Sequence, residues 1–193
     1  MEKNSFGQKI KDVFKRYAYY MLLGFLVLGV VLTLIIAGVN NKYKSNELED
    51  VSVTISPYLP VLNAVIYKEY YGDELCYNST LKQWETHNGI DFQAASGSSV
   101  YSILDGKVID VYSNILEGSV VVVEHEDGIV STYGSLDENV LVKEGDSVNR
   151  GQELGKISQT SSSELDAGAH LHFSITDNGN KIDPASYLNI ETK

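Results

Sequence analysis

Two short segments carry residue types that together make a metal site. One is THNGIDF, residues 86 to 92; the other is AGAHLHFSI, residues 167 to 175. On a strand, residues i and i+2 project to the same side, roughly 6–7 Å apart along the chain. His170 and His172 therefore face one way and Leu171 and Phe173 the other. The apolar pair can enter a core while both imidazoles face a groove. The same rule puts His87 and Asp91 on one face, with Ile90 and Phe92 behind, and Gly89 leaves the space between them open. Helical i, i+4 spacing also aligns His87 with Asp91, but the glycine and the alternation favour a strand. A histidine in a strand is by itself most often a satisfied or exposed side chain, and HxxxD or HxH alone is weak; the combination carries the reading. Two neutral imidazoles and one carboxylate suit Zn2+, and three protein ligands leave the fourth tetrahedral position open, as in catalytic sites. Such an ion lowers the pKa of bound water to about 7 and polarises a carbonyl oxygen. The chemistry then wants a base or an oxyanion donor, and the remaining histidine of the pair is placed for it. His87, Asp91 and His172 are assigned to the metal and His170 to the chemistry. His125 lies beside a turn between Glu124 and Glu126 and reads as a surface residue.

The elements that must position these groups are strands. VYSIL, KVIDVY, SVVVVEH, IVSTYGSL and NVLVKE are short and rich in β-branched residues. Asp105-Gly106, Glu117-Gly118, Asp127-Gly128, Glu144-Gly145 and Asn178-Gly179 punctuate them, and such pairs between apolar runs are hairpin signals because glycine accepts positive φ. With no convincing amphipathic helix and no long-period repeat, the prediction is an all-β domain over residues 61–190.

Ahead of it lies an appendage. Residues 17–39 contain no charged side chain, and about 20 such residues span the hydrocarbon core as a helix. Lys3, Lys9, Lys11, Lys15 and Arg16 precede the run, so the basic flank predicts a cytoplasmic tail over 1–16 and export of the domain beyond the helix. The run exceeds the usual signal-peptide core of about 7–15 residues, so an uncleaved anchor is expected. Residues 40–60, polar and ending near Pro57 and Pro60, read as a linker. From residue 45 onward eight basic residues face twenty-four acidic ones, a net −16 that repels nucleic acid and anionic lipid and favours solubility. Cys76 is the only cysteine, so no intramolecular disulfide forms; export without one fits a bacterial envelope.

These residues also carry a family resemblance. THNGIDF resembles the HxGxD motif, and GAHLHF the xHxHF motif, of the M23 peptidases, the lysostaphin- and LytM-like zinc endopeptidases. KEGDSVNRGQELGKISQT and VYSILDGKVIDV resemble two further segments of that family, so the likeness runs from about residue 60 to 188. It implies a small antiparallel β-sheet groove and a peptidoglycan stem peptide or cross-bridge as substrate. Zinc falls to His87, Asp91 and His172, with His170 as one of two catalytic histidines. Biotinyl and lipoyl domains share glycine-spaced strands but need no HxxxD. The second catalytic histidine lies in a Y-x-H-L motif, and here the chain reads Tyr133-Gly134-Ser135-Leu136. Ser135 therefore stands where that histidine is expected. A hydroxyl can still donate one hydrogen bond but cannot act as a cationic donor, and one preorganised donor is worth roughly 10²–10³ in rate. Residues 161–166, SSSELD, form a polar loop where the family often has a short glycine-rich turn, a change expected to alter groove width or substrate choice. The layout, short tail, single anchor and degenerate domain, is similar to the sporulation members of the family. Their domain pairs with a mother-cell membrane protein across the engulfment space to form a channel-like complex. The expectation is a zinc-binding envelope protein with weak or lost endopeptidase activity; the alternative is a fully active peptidoglycan zinc endopeptidase.

Overall fold

The computed structural model describes residues 5–44 and 56–191. The chain divides into two units, Met1–Thr54 and Ile55–Lys193. Among its described residues the first is one helix, α1 (Ser5–Lys44), so helical structure continues through residues 40–44 of the stretch read as linker. Within it, Tyr20–Gly38 is a 19-residue apolar span. At 1.5 Å per residue that is about 28 Å, long enough for the hydrocarbon core of a bilayer. Its apolar side chains, among them Leu22, Phe25, Leu28 and Leu34, are exposed.

Among the described residues of the second unit there are twelve strands: β1 (Val65–Lys68), β2 (Tyr71–Asn78), β3 (Gln83–His87), β4 (Ile90–Gln93), β5 (Ser99–Tyr101), β6 (Gly106–Asn114), β7 (Gly118–Glu124), β8 (Ile129–Leu136), β9 (Ser147–Val148), β10 (Glu153–Lys156), β11 (His170–Asp177) and β12 (Asn180–Ile182). The main sheet runs β1-β4-β11-β8-β7-β6-β9, with β12 pairing β11, and every pairing is antiparallel. β10 with β5, and β2 with β3, form two small ribbons. Among the described residues of this unit the one α-helix, α2 (Pro184–Leu188), is capped by the Asp183 carboxylate, which accepts from the Ala185 amide at 2.9 Å; Pro at its first position suits the unbonded first turn.

β11 shows why the fold forms. Leu171, Phe173 and Ile175 are fully buried at alternate positions, as a two-residue period requires. They pack with Ile90 and Phe92 of β4, Tyr133 of β8, and Val121 and Val123 of β7. The Asn178-Gly179 pair closes the β11–β12 hairpin with both residues at positive φ, 47° and 81°, the conformation a two-residue turn needs. Gly106 answers a different demand. A Cβ there would stand 2.5 Å from the Glu124 carbonyl oxygen, so the residue is glycine for close strand approach. NVLVKE is not a strand. The Asp146 carboxylate accepts from the Lys143 amide at 3.1 Å and Leu141 bonds a single carbonyl, that of Leu154, at 2.8 Å. Val142 is buried, but a turn competes with extension here and wins.

Candidate metal centre

The main sheet brings the two histidine segments side by side. β4 and β11 pair so that His172 stands opposite Asp91 and Phe173 opposite Ile90. His87 comes from elsewhere than the sequence spacing implies. It ends β3, in the small ribbon with β2, and the chain breaks at Asn88-Gly89 before β4 begins. His87 and Asp91 therefore do not share one continuous strand face; they meet because the break folds one strand's end over the next strand's start. Gly89 sits at the closest approach. A Cβ there would lie 2.8 Å from His172 Nε2 and 2.7 Å from the Phe173 carbonyl oxygen, so a side chain would displace the ring.

Three ligand atoms converge. His87 Nε2 is 3.2 Å from Asp91 Oδ1 and 3.3 Å from His172 Nδ1, and His172 Nδ1 is 2.8 Å from Asp91 Oδ1. His87 Nδ1 donates to the Glu69 carbonyl at 2.6 Å. That bond holds the ring with Nε2 turned to the cluster, a common arrangement behind a metal-binding imidazole. Asp91 is fully buried, and its Oδ2 has no hydrogen-bond partner. An orphaned buried carboxylate oxygen is costly unless a cation meets it. The protonation of the site points the same way. Burial disfavours a charged His87, yet Asp91 and Glu164 outweigh it and push its pKa up to about 9. Burial likewise works against the Asp91 carboxylate, and the hydrogen bonds of His172 and His87 overcome it and hold its pKa below the ordinary value. The cluster seeks positive charge, and its nitrogen and oxygen donors fit a zinc ion.

A fourth residue, Glu164, joins His87, Asp91 and His172 in a group able to hold a metal. It lies in the SSSELD loop, and sequence reasoning did not find it; nothing in its spacing separates it from Asp166. Its Oε1 is 3.6 Å from His87 Nε2, and its Oε2 is 3.5 Å from His172 Nδ1 and 3.4 Å from His170 Nε2. Burial opposes its charge, but the bonds to His170 and His87 dominate and hold its carboxyl well below the usual range.

His170 is buried, and both ring nitrogens are engaged: Nδ1 donates to the Gly168 carbonyl at 2.9 Å and Nε2 meets Glu164. Burial lowers its pKa, and the Glu164 bond more than offsets this, so the ring is more basic than usual. Ser135 is fully buried in β8, at φ 61°, where the β7–β8 register slips between Ser119 and Val121. Its hydroxyl donates to the Ser158 carbonyl at 3.3 Å. His125, read from the sequence as a surface residue, is buried instead. Its Nδ1 donates to the Asp105 carbonyl at 2.9 Å, and Ser131 Oγ lies 2.7 Å from its Nε2. A polar neighbourhood along the chain did not reveal the carbonyl brought to it from Asp105.

Two clefts flank the cluster. One, of about 420 Å³, is bordered by Tyr67, Lys68, Tyr71, Tyr77 and Asp91; the other, of about 460 Å³, by His87, Asn88, Thr132, Gly134 and His172; Glu164 borders both.

Residues 85–184, about half of the chain, match the model of peptidase family M23. Stage II sporulation protein Q of Bacillus subtilis (strain 168) is 30% identical over 171 residues, covering 78% of this chain and 58% of the relative. The peptidoglycan DD-endopeptidase ShyB of Vibrio cholerae is 39% identical over 97 residues, 50% of this chain and 22% of that protein. The chain thus spans less than two thirds of the length of either relative. Among solved structures, the SpoIIQ–SpoIIIAH pore-forming complex contains a chain matched at TM-score 0.61 and 28% identity, covering 69% of this chain and 90% of that one. With the family match over half of the chain and a mostly antiparallel β fold, the chain belongs to peptidase family M23.

Proposed function

We propose that this chain is a membrane-anchored, zinc-binding scaffold of the cell envelope in spore-forming bacteria, with weak or lost peptidoglycan endopeptidase activity. One observation carries the reading. The side chains of His87, Asp91 and His172 converge as a ligand set would, while Ser135, which stands where the family resemblance expects a second catalytic histidine, is buried with its hydroxyl given to Ser158 and its amide to Glu117. The ion, when bound, would polarise a carbonyl oxygen as a Lewis acid. His87 is held by the Glu69 carbonyl with Nε2 turned to the cluster. Asp91 supplies buried negative charge, and His170 holds a proton against Glu164 rather than presenting a free base. No donor from Ser135 reaches the groove to steady a developing oxyanion, which removes a factor of roughly 10²–10³ in rate.

The anchor and the relatives support the scaffold part. α1 carries a span long enough for a bilayer, and the basic residues before it support a cytoplasmic N-terminus with the β domain outside. In a sporulating cell the domain would then lie between the forespore and mother-cell membranes. The likeness to stage II sporulation protein Q and to the SpoIIQ–SpoIIIAH complex supports a partner anchored in the opposing membrane. On the β2–β3 ribbon Leu75, Tyr77 and Trp84 are exposed, and Tyr77 meets Trp84 edge-on at 5.5 Å; exposed aromatics of this kind anchor protein interfaces. The second reading, a working endopeptidase, is favoured by the intact ligand set. The test is the zinc-loaded full chain in detergent micelles incubated with purified peptidoglycan. No rise in free amino termini is expected, together with retention of a SpoIIIAH-type membrane protein from sporulating cells. Sustained release of new amino termini overturns the scaffold reading in favour of the enzyme.

A further inference from the structure

The SSSELD loop is tied at both walls of the groove. Ser161 Oγ and Ser163 Oγ each donate to the Leu116 carbonyl at 2.7 Å, and the Ser162 amide donates to Ile115 at 3.0 Å, all at the β6–β7 turn. On the other side Asn78 Nδ2 donates to the Ser163 carbonyl at 3.1 Å, and the Asp166 amide to Thr80 Oγ1 at 3.0 Å, both in the β2–β3 ribbon. The loop is thus a strap with a fixed position, and Glu164 hangs from its middle into the cluster. Placing a second carboxylate beside the buried Asp91 is unfavourable unless a cation lies between them. Lys68 Nζ, at 4.0 Å, is the lysine at hand, and it approaches Oε1, the oxygen that also meets His87 Nε2.

The spacing of the donors identifies what fits. Four atoms bound to one tetrahedral zinc at about 2.0–2.1 Å stand roughly 3.3–3.4 Å from each other. His87 Nε2 is 3.3 Å from His172 Nδ1 and 3.2 Å from Asp91 Oδ1, the His172–Asp91 pair is closer at 2.8 Å, and Glu164 meets His87 through Oε1 at 3.6 Å and His172 through Oε2 at 3.5 Å; one donor atom from each of the four residues lies within 4.8 Å of the others. We infer that Glu164 is a fourth protein ligand, which takes the coordination position that a hydrolytic M23 site leaves open and converts the centre into a closed, four-ligand metal site. This rests on the zinc-binding function proposed for the domain and deepens it. A closed centre holds its ion as structure and offers no position to a scissile carbonyl. The competing role for Glu164 is ion partner of His170 alone, at 3.4 Å.

The test uses the full chain in detergent micelles, loaded with Co2+ in place of zinc, as wild type, Glu164→Gln, Glu164→Ala and the strap control Asp166→Asn. Azide is the probe for an open position, read in the visible Co2+ absorption; zinc affinity is read by chelator competition. The wild-type and Asp166→Asn spectra are expected to ignore azide. Both Glu164 variants are expected to bind it with a shift of the bands and to hold zinc tenfold or more weakly. Glu164→Gln preserves shape, so it decides the matter if Glu164→Ala fails to fold. Azide binding by wild type equal to that of Glu164→Gln, with unchanged zinc affinity, overturns the inference while leaving the zinc centre standing. Failure of the wild type to take up either ion overturns the zinc reading itself, and the ligand assignment with it.

Discussion

What a histidine does in this domain depends on what each ring nitrogen meets. His87 has a carbonyl behind it and carboxylates in front; His170 has a carbonyl on one nitrogen and Glu164 on the other; His125 has a carbonyl and a hydroxyl and no carboxylate. Burial therefore wins at His125 over the Asp105 carbonyl and lowers its pKa, whereas it loses at the other two. The direction of the pH dependence is set by that lowering. Above about pH 6.5, the ordinary histidine value, both folded and unfolded chains carry a neutral ring at 125. As pH falls below it, the unfolded chain takes a proton that the folded ring refuses, and stability is lost down to the folded pKa. Compared with His125→Asn, which retains a donor for the Asp105 carbonyl, the zinc-loaded wild type is expected to lose relative stability between pH 7.5 and 5 in urea denaturation. A gap that does not change over that range contradicts the burial of this ring. That His87, Asp91 and His172 come together was legible in the sequence because their types and spacing are those a metal would use, and His170 because it shares a strand with His172. Glu164 and the environment of His125 were not, since both are made by segments distant in the chain that meet only after folding.

At the scale of elements, β11 does two jobs with one period of two. Its even face presents His170 and His172, and its odd face seats Leu171, Phe173 and Ile175 in the core. Alternation made this strand readable residue by residue, β-branched content marked β8 as a strand, and the acidic-Gly and Asn-Gly turns marked most of the hairpins. NVLVKE shows where the method ends. A β-branched run states a preference, and the local Asp146 carboxylate competes for the same backbone. The break at Asn88-Gly89 shows the converse, since an HxxxD spacing is satisfied by two strands joined at a glycine as well as by one strand. Because ligand face and core face share a backbone, a cavity under β11 should be felt at full core strength. Leu171→Ala removes a fully buried side chain that pairs in register with Phe92. Large-to-small core changes of this kind cost about 2–5 kcal/mol, and that loss is expected in urea unfolding of the zinc-free protein. A cost below about 1 kcal/mol would mean that Leu171 is not seated in the core.

At the scale of the whole chain, two units obey different solvents. α1 offers an apolar surface suited to lipid, while the β domain carries surplus acid and a buried core of its own. The charge asymmetry favours the proposed orientation, with the N-terminus in the cytoplasm. Basic residues crowd the N-terminal flank, and from residue 45 onward the chain is strongly acidic, so moving the domain to the cytoplasmic side would also move those lysines and the arginine to the wrong side of the membrane. Cys76 supplies a natural reporter, being the single cysteine, free and half-buried on β2. In spheroplasts expressing the full chain, a membrane-impermeant maleimide added outside is expected to label Cys76 before permeabilisation, and a Cys76→Ser chain to take no label. Detergent permeabilisation should then add little further labelling. Labelling that appears only after permeabilisation would place the β domain in the cytoplasm, away from peptidoglycan and from any partner in an opposing membrane.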